Sequence, residues 1–179
     1  YYRDYRDHQA SFEPIFLVND IARFWKTLLL NYERKRNPEA PLEGAQKTKQ
    51  KVRNFKLKYS RMTTCFATIA ALGSYGAPVH REQVVELVKL TPRERLELVA
   101  ANLPSTEATI AEVLTEYAWF LEQTALPQEQ LYIQFEDKTR LRDLFDRANR
   151  YGDFVYSVLA EIDRSSPTGP GRFLRYLVI

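Results

Sequence analysis

The chain of 179 residues carries 26 Lys or Arg against 23 Asp or Glu, a net charge of +3, with 45% hydrophobic residues and only six glycines. That length suits one domain with a real core, and that composition excludes a disordered or fibrous chain. A single cysteine, Cys65, excludes an internal disulfide and every multi-cysteine zinc pattern, and with only His8 and His80 the imidazole supply for a metal site is poor. No stretch reaches the roughly 18 to 20 apolar residues that span a bilayer, and no charged and then apolar leader opens the chain. A cytoplasmic protein with no membrane partner is expected.

The chain opens on Tyr1 and its one methionine is Met62, so residues 1–179 are read as a single helical domain that has lost residues at its front or is a piece of a longer chain. Apolar residues recur at intervals of three and four, which predicts an all-α fold, a multi-helix bundle around two long central helices. The first long helix runs from about Pro14, a favoured first-turn proline, to Arg36, where "RNPEAPLEG" breaks it. The second covers about Ala45 to Leu72 and stops at "GSYGAP". A third spans His80 to Leu90. At "TPRE", Thr91 caps the next helix, Pro92 takes its first position and Glu94 closes a capping box. A helix ending near Thr124 has Ile110, Leu114, Tyr117, Ala118 and Leu121 on one side, "LPQEQ" opens a short one, and the last covers about Lys138 to Ile162. Residues 164–179 are read as a loop, "RSSPTGPG", followed by a tail, "RFLRYLVI", that docks by its apolar residues.

Charge is uneven along this frame. Between Arg23 and Arg61 stand twelve Lys or Arg and three Glu, a local balance of +9, so the remaining residues carry −6 against the overall +3. An anionic partner is implied, phosphate first, because ammonium and guanidinium groups give phosphate oxygens several charge-assisted donors at once. On the second helix Val52, Phe55, Tyr59, Met62 and Phe66 gather on one side, which predicts its core face. Arg53, Lys56 and Ser60 make one polar stripe opposite, and Asn54, Lys58 and Arg61 make another, with Leu57 between them. After Arg61 the helix turns small or apolar all round, so these cations stand where a central helix leaves the core. The first helix has Leu17, Ile21, Phe24, Trp25, Leu28 and Tyr32 on a broad apolar side, and Asn19, Arg23 and Lys26 on a polar stripe flanked by Asp20 and Thr27. If the two helices are antiparallel neighbours, the polar faces converge on one pocket for an anion.

Plainer readings stand beside this one. A charge run is usually a solvated face, which suits Lys35, Lys47, Lys49 and Lys51, and Asp20 with Arg23 makes an ordinary ion pair. Cys65 in the apolar half of its helix reads as an inert core thiol, and His80 as a cap or surface residue.

The segments "FEPIFLVNDIARFWKTLLLNYERKR" and "KVRNFKLKYSRMTTCFATIAAL", followed by "LTPRERL" and "YAWFLEQT", resemble the C-terminal helical region of uncharacterised bacterial nucleotidyltransferase-domain proteins of the DNA polymerase beta-like superfamily. The specific parts are Asn19, Asp20, Arg23, Lys26 and Thr27 in an NDxxRxxKT pattern, and Arg53, Asn54, Lys56, Leu57, Lys58, Ser60 and Arg61 in an RNxKLKxSR pattern. The resemblance implies a helical accessory domain beside an upstream nucleotidyltransferase domain. Its partners would be a nucleoside triphosphate or a phosphate-bearing acceptor, with nucleic acid as an alternative. Arg23, Lys26, Lys56, Lys58 and Arg61 would contact phosphate, Asn19, Asn54 and Ser60 ribose or base, and Asp20 would orient a cation. The Gly-Ser turn and alternating aspartates of that superfamily's catalytic module are missing, so no catalytic residue and no cofactor is assigned, magnesium being expected only with the missing module. A protein-interaction module for an acidic partner is a further alternative, and Arg3 and His8 match the short RxxxxH spacing of helical ribonucleases of the HEPN type.

Overall fold

Turn chemistry and apolar periodicity divide the chain into helices. The computed structural model describes residues 10–36, 44–166 and 170–177, and no strand occurs among them. Arg3 and His8 lie outside the described residues.

Helix α1 (Ile15–Arg36) begins directly after Pro14. Helix α2 (Gly44–Lys56) continues without a break through a π-helical turn (Leu57–Arg61) into α3 (Met62–Ser74), so the second long helix of the sequence reading is one rod with an irregular middle. Gly76, at φ +68°, turns the chain after α3 in a left-handed conformation that a side chain resists. Then follow α4 (Arg81–Leu87), α5 (Pro92–Asn102), a 3-10 turn (Pro104–Thr106), α6 (Glu107–Thr124), α7 (Gln128–Glu136), α8 (Lys138–Arg164) and the short α9 (Arg172–Arg175). The helix expected over His80 to Leu90 regularises only to Leu87. At its start the exposed His80 offers its backbone N–H to Gln83 Oε1 at 2.7 Å.

The α2–α3 rod forms the centre. Its α3 half packs most extensively on α5 and also on α8 and α1, while α2 packs on α7. Phe55 is fully buried, with the rings of Tyr59, Trp119, Phe120, Phe135 and Phe145 at centroid distances of 5.1 to 6.3 Å. Each such aromatic removes a large apolar area from water and contributes about 1.5–3 kcal/mol. On α6 the buried residues are Ile110, Val113 and Phe120, whereas Leu121 is 50% exposed and Ala118 is exposed. The helix is therefore rotated from the face read off its sequence, because Phe120 packs on Phe55 and Tyr59 of the rod and Val113 lines a core cavity with Tyr151 and Val158 of α8.

Two local devices fix the ends of the bundle. At α5 the Thr91 hydroxyl accepts the Glu94 N–H at 3.3 Å and the Glu94 carboxylate accepts the Thr91 N–H at 2.7 Å, the capping box of the sequence reading. At the C-terminus the buried Asp163 carboxylate accepts the backbone N–H groups of Gly171 and Leu174 at 2.6 and 3.1 Å, holding the tail onto α8. The tail then reaches α1: Asn19 Nδ2 donates to the Tyr176 carbonyl at 3.2 Å, and the Tyr176 hydroxyl donates to Glu13. Phe173 lies against Gly73 of α3, so closely that a Cβ there would sit 2.5 Å from its ring and 2.9 Å from Ile162.

Replacing Gly73 with Ala is therefore expected to cost about 1–3 kcal/mol through overpacking, read as a lower urea midpoint. Combining it with Phe173→Leu should cost less than the two single losses summed. The bonds from Thr91, its backbone N–H first, hold the Glu94 carboxyl below its ordinary value. A depressed carboxylate stabilises the fold above its unfolded-state value and loses that contribution as pH falls through its folded one. Glu94→Gln should accordingly flatten the acid limb of a stability–pH curve, and an unchanged limb would show that the box carries no charge dependence.

Candidate functional site

The polar residues of the central rod divide between two sides of the molecule, and the π turn decides which goes where. The Met62 N–H bonds to the Leu57 carbonyl, five residues back rather than four. In such a turn residues five apart stack one above the other, so Arg61 comes over Lys56 instead of lying well round the helix from it. The two stripes read from regular spacing are thereby re-sorted. Arg53, Lys56, Ser60 and Arg61 line one groove. Lys58 turns the other way, to Asn149 Oδ1 of α8 at 2.9 Å. Asn54 does not line the groove, and Leu57, expected between polar stripes, is buried and forms part of its floor.

The groove holds about 830 Å³ and is completed by α1 and α6. From α1 come Leu28, Asn31, Tyr32 and Lys35, and from α6 come Phe120, Leu121 and Thr124. Gln50 joins the walls by donating its Nε2 to the Lys35 carbonyl at 3.2 Å. Among the described residues no carboxylate lines the groove. Among the described residues, none of Lys35, Arg53, Lys56 and Arg61 has an acidic partner within salt-bridge distance. Some cations elsewhere are paired: Lys89 with Glu86, Arg93 with Glu97, Arg164 with Glu161, and Arg147 with Glu116 through bonds of 2.6 and 3.0 Å while stacked 3.7 Å over Trp119. Four cations with their charge unspent therefore face one concavity. A hard divalent cation needs oxygen ligands, chiefly carboxylates, so this lining does not fit magnesium.

The stripe expected from α1 does not reach this groove. Asn19 is buried under the C-terminal tail, where its amide serves the fold. Asp20 and Arg23 are exposed and lie 3.7 Å apart, a surface pair worth little. Lys26 is exposed, and Thr27 returns its hydroxyl to the Arg23 carbonyl at 3.0 Å. What α1 contributes comes instead from its C-terminal half. Leu28, Tyr32 and Lys35 repeat at four and three residues, but that stripe looks like core running out into solvent until its partner helix is placed. Lys51, read as solvated, is half-buried and donates to the Phe135 carbonyl at 3.0 Å, capping the end of α7. Cys65 is buried, and burial raises its thiol while Arg61 opposes that, which keeps it an inert core group.

No family model matches the chain, and neither a curated protein nor a solved structure matches it.

Beneath the groove, Tyr59 of the π turn stacks between Phe120 at 4.7 Å and Tyr151 at 4.4 Å, and Thr63 bonds the Tyr151 hydroxyl at 2.5 Å. The Tyr59 hydroxyl is buried with no protein partner, and burial raises it far above the ordinary phenol range. Tyr59→Phe keeps both stacks and removes a hydroxyl whose desolvation costs about 1–3 kcal/mol. Its thermal stability should equal or exceed that of the parent. A clear loss would show that the hydroxyl is engaged.

Proposed function

We propose that this chain is a helical accessory module that holds a phosphate-bearing ligand, a nucleoside triphosphate or phosphorylated acceptor, in the groove between α1, the α2–π rod and α6. The observation that carries this reading is the set of four cations, Lys35 from α1 and Arg53, Lys56 and Arg61 from the rod, that line one groove with no carboxylate among its described residues. Such a lining raises the local potential, favours an anion at short range and leaves its donors unspent until one arrives. Leu28, Leu57, Phe120 and Leu121 supply apolar surface beside the charge, and Asn31, Ser60 and Thr124 supply neutral polar groups. That mixture suits an organic phosphate better than an inorganic one.

The resemblance of the α1 and α2 sequences to the helical region of nucleotidyltransferases supports the further reading that the module serves a separate catalytic domain. Phosphoryl transfer in that superfamily needs metal-binding carboxylates, which the groove does not provide. The role of this chain is therefore to bind and orient, and the bond-making step belongs to the other module. Of the residues in the matching patterns, Arg53, Lys56, Ser60 and Arg61 are the ones the groove reading retains.

Calorimetric titration with ATP tests the proposal. Arg53→Ala and Arg61→Ala should each weaken binding about tenfold, the size of one charge-assisted contact. Arg23→Ala and Lys26→Ala, on the outer side of α1, should leave it unchanged. Equal losses from the α1 variants, or affinity that ignores Arg53 and Arg61, would overturn it.

A further inference from the structure

We infer that the groove takes a single strand of nucleic acid, several phosphates long, in preference to one nucleoside triphosphate; the inference rests on the groove reading and names its ligand class.

The cations are laid out in a row. Arg53, Lys56 and Arg61 succeed one another along the same helix face, and eight residues separate the first from the last. At a rise of about 1.5 Å per residue this row is about 10–12 Å long. A triphosphate packs its three phosphorus atoms into a shorter span and would leave one end of the row unmatched. A nucleic acid strand with stacked bases carries one charge per about 3.4 Å, so the row spans about four consecutive phosphates. Lys35 lines the same groove from α1 and adds a fourth cation beside the row.

The groove also has what a strand's bases need and a bare polyanion does not. Its volume of about 830 Å³ lies near the top of the range for small-ligand pockets, ~300–1,000 Å³. Leu28, Tyr32 and the half-exposed Leu121 give base faces an apolar ledge that does not discriminate sequence. Duplex nucleic acid fits poorly. Its phosphates lie on the outside of a stiff cylinder, and cations contributed by both α1 and the rod call for a backbone narrow enough to enter between the two helices. The π turn has a role in this layout, since without it Arg61 would leave the row.

Fluorescence anisotropy with labelled oligothymidylates of increasing length, up to about six nucleotides, tests the inference, with ATP and a matched duplex as competitors. Affinity should climb steeply from one to about four nucleotides and then level. The slope of log K against log salt should lie at about −2 to −3, for three to four neutralised phosphates. Lys56→Gln and Arg61→Gln should each weaken the oligonucleotide about tenfold and reduce that slope by about 0.7. If ATP binds as tightly as the longest oligonucleotide, through the same residues, the strand is excluded while the phosphate groove stands. If neither binds, or the oligonucleotide binds without regard to Lys56 and Arg61, the groove reading falls with it. A duplex that outcompetes the single strand overturns the strand assignment alone.

Discussion

One helix must satisfy two environments at once, and the rest of the structure is arranged around that demand. Phe55 and Tyr59 are completely buried among the aromatic rings of α6, α7 and α8, while Arg53 and Lys56, their neighbours in sequence, stand in solvent. A regular helix meets both needs over one or two turns. Over the full length from Gly44 to Ser74 the phase has to change, because α3 is buried nearly all round whereas α2 is wet on one side. The π turn at Leu57–Arg61 makes that change by inserting one residue into the turn, keeping Tyr59 in the core and Arg61 in the groove.

The charge in the groove has an energetic cost that the fold accepts. Four cations with no carboxylate beside them among the described residues repel one another, modestly in water and salt, and an anion bound as proposed would relieve that repulsion. Ligand binding and local stability are thereby coupled, since anything that binds the folded groove alone stabilises it by mass action. The C-terminal tail bears on the same arrangement from a distance. Through Asn19, Glu13 and the backbone of residue 176 it fixes the N-terminal part of α1, whose other half supplies Lys35 and Tyr32 to the groove wall.

Much of the fold was readable in the sequence, because helix ends carry local chemistry. The box of Thr91 and Glu94, the proline before α1 and the stop at "GSYGAP" each act within four or five residues. The core face Val52, Phe55, Tyr59 was readable for the same reason. The site was readable only in part. Arg53, Lys56, Ser60 and Arg61 meet in one groove because the π turn, which leaves no mark in a pattern drawn at regular spacing, carries Arg61 across, while Asn54 and Lys58 stay outside it. Asn19 looked like a ligand group because nothing in its neighbourhood announces a tail arriving from 157 residues away. Lys35, Asn31 and Thr124 were missed because they become site residues only when α1 and α6 are set beside α2. The same limit turned α6 toward Val113 and Phe120: both faces of that helix are periodic, and packing against the rod and α8 chose between them.

The claim that unifies these observations is that phosphate enters between α1, the α2–π rod and α6. Amide hydrogen exchange, followed with and without a saturating nucleoside triphosphate or short oligonucleotide, tests it most directly. Slowed exchange confined to residues 28–35, 50–61 and 120–124 is the expected result. Slowing on the outer side of α1 near Asp20 and Lys26, or along α8 near Arg140 and Arg150, with the groove segments unchanged, would contradict the account.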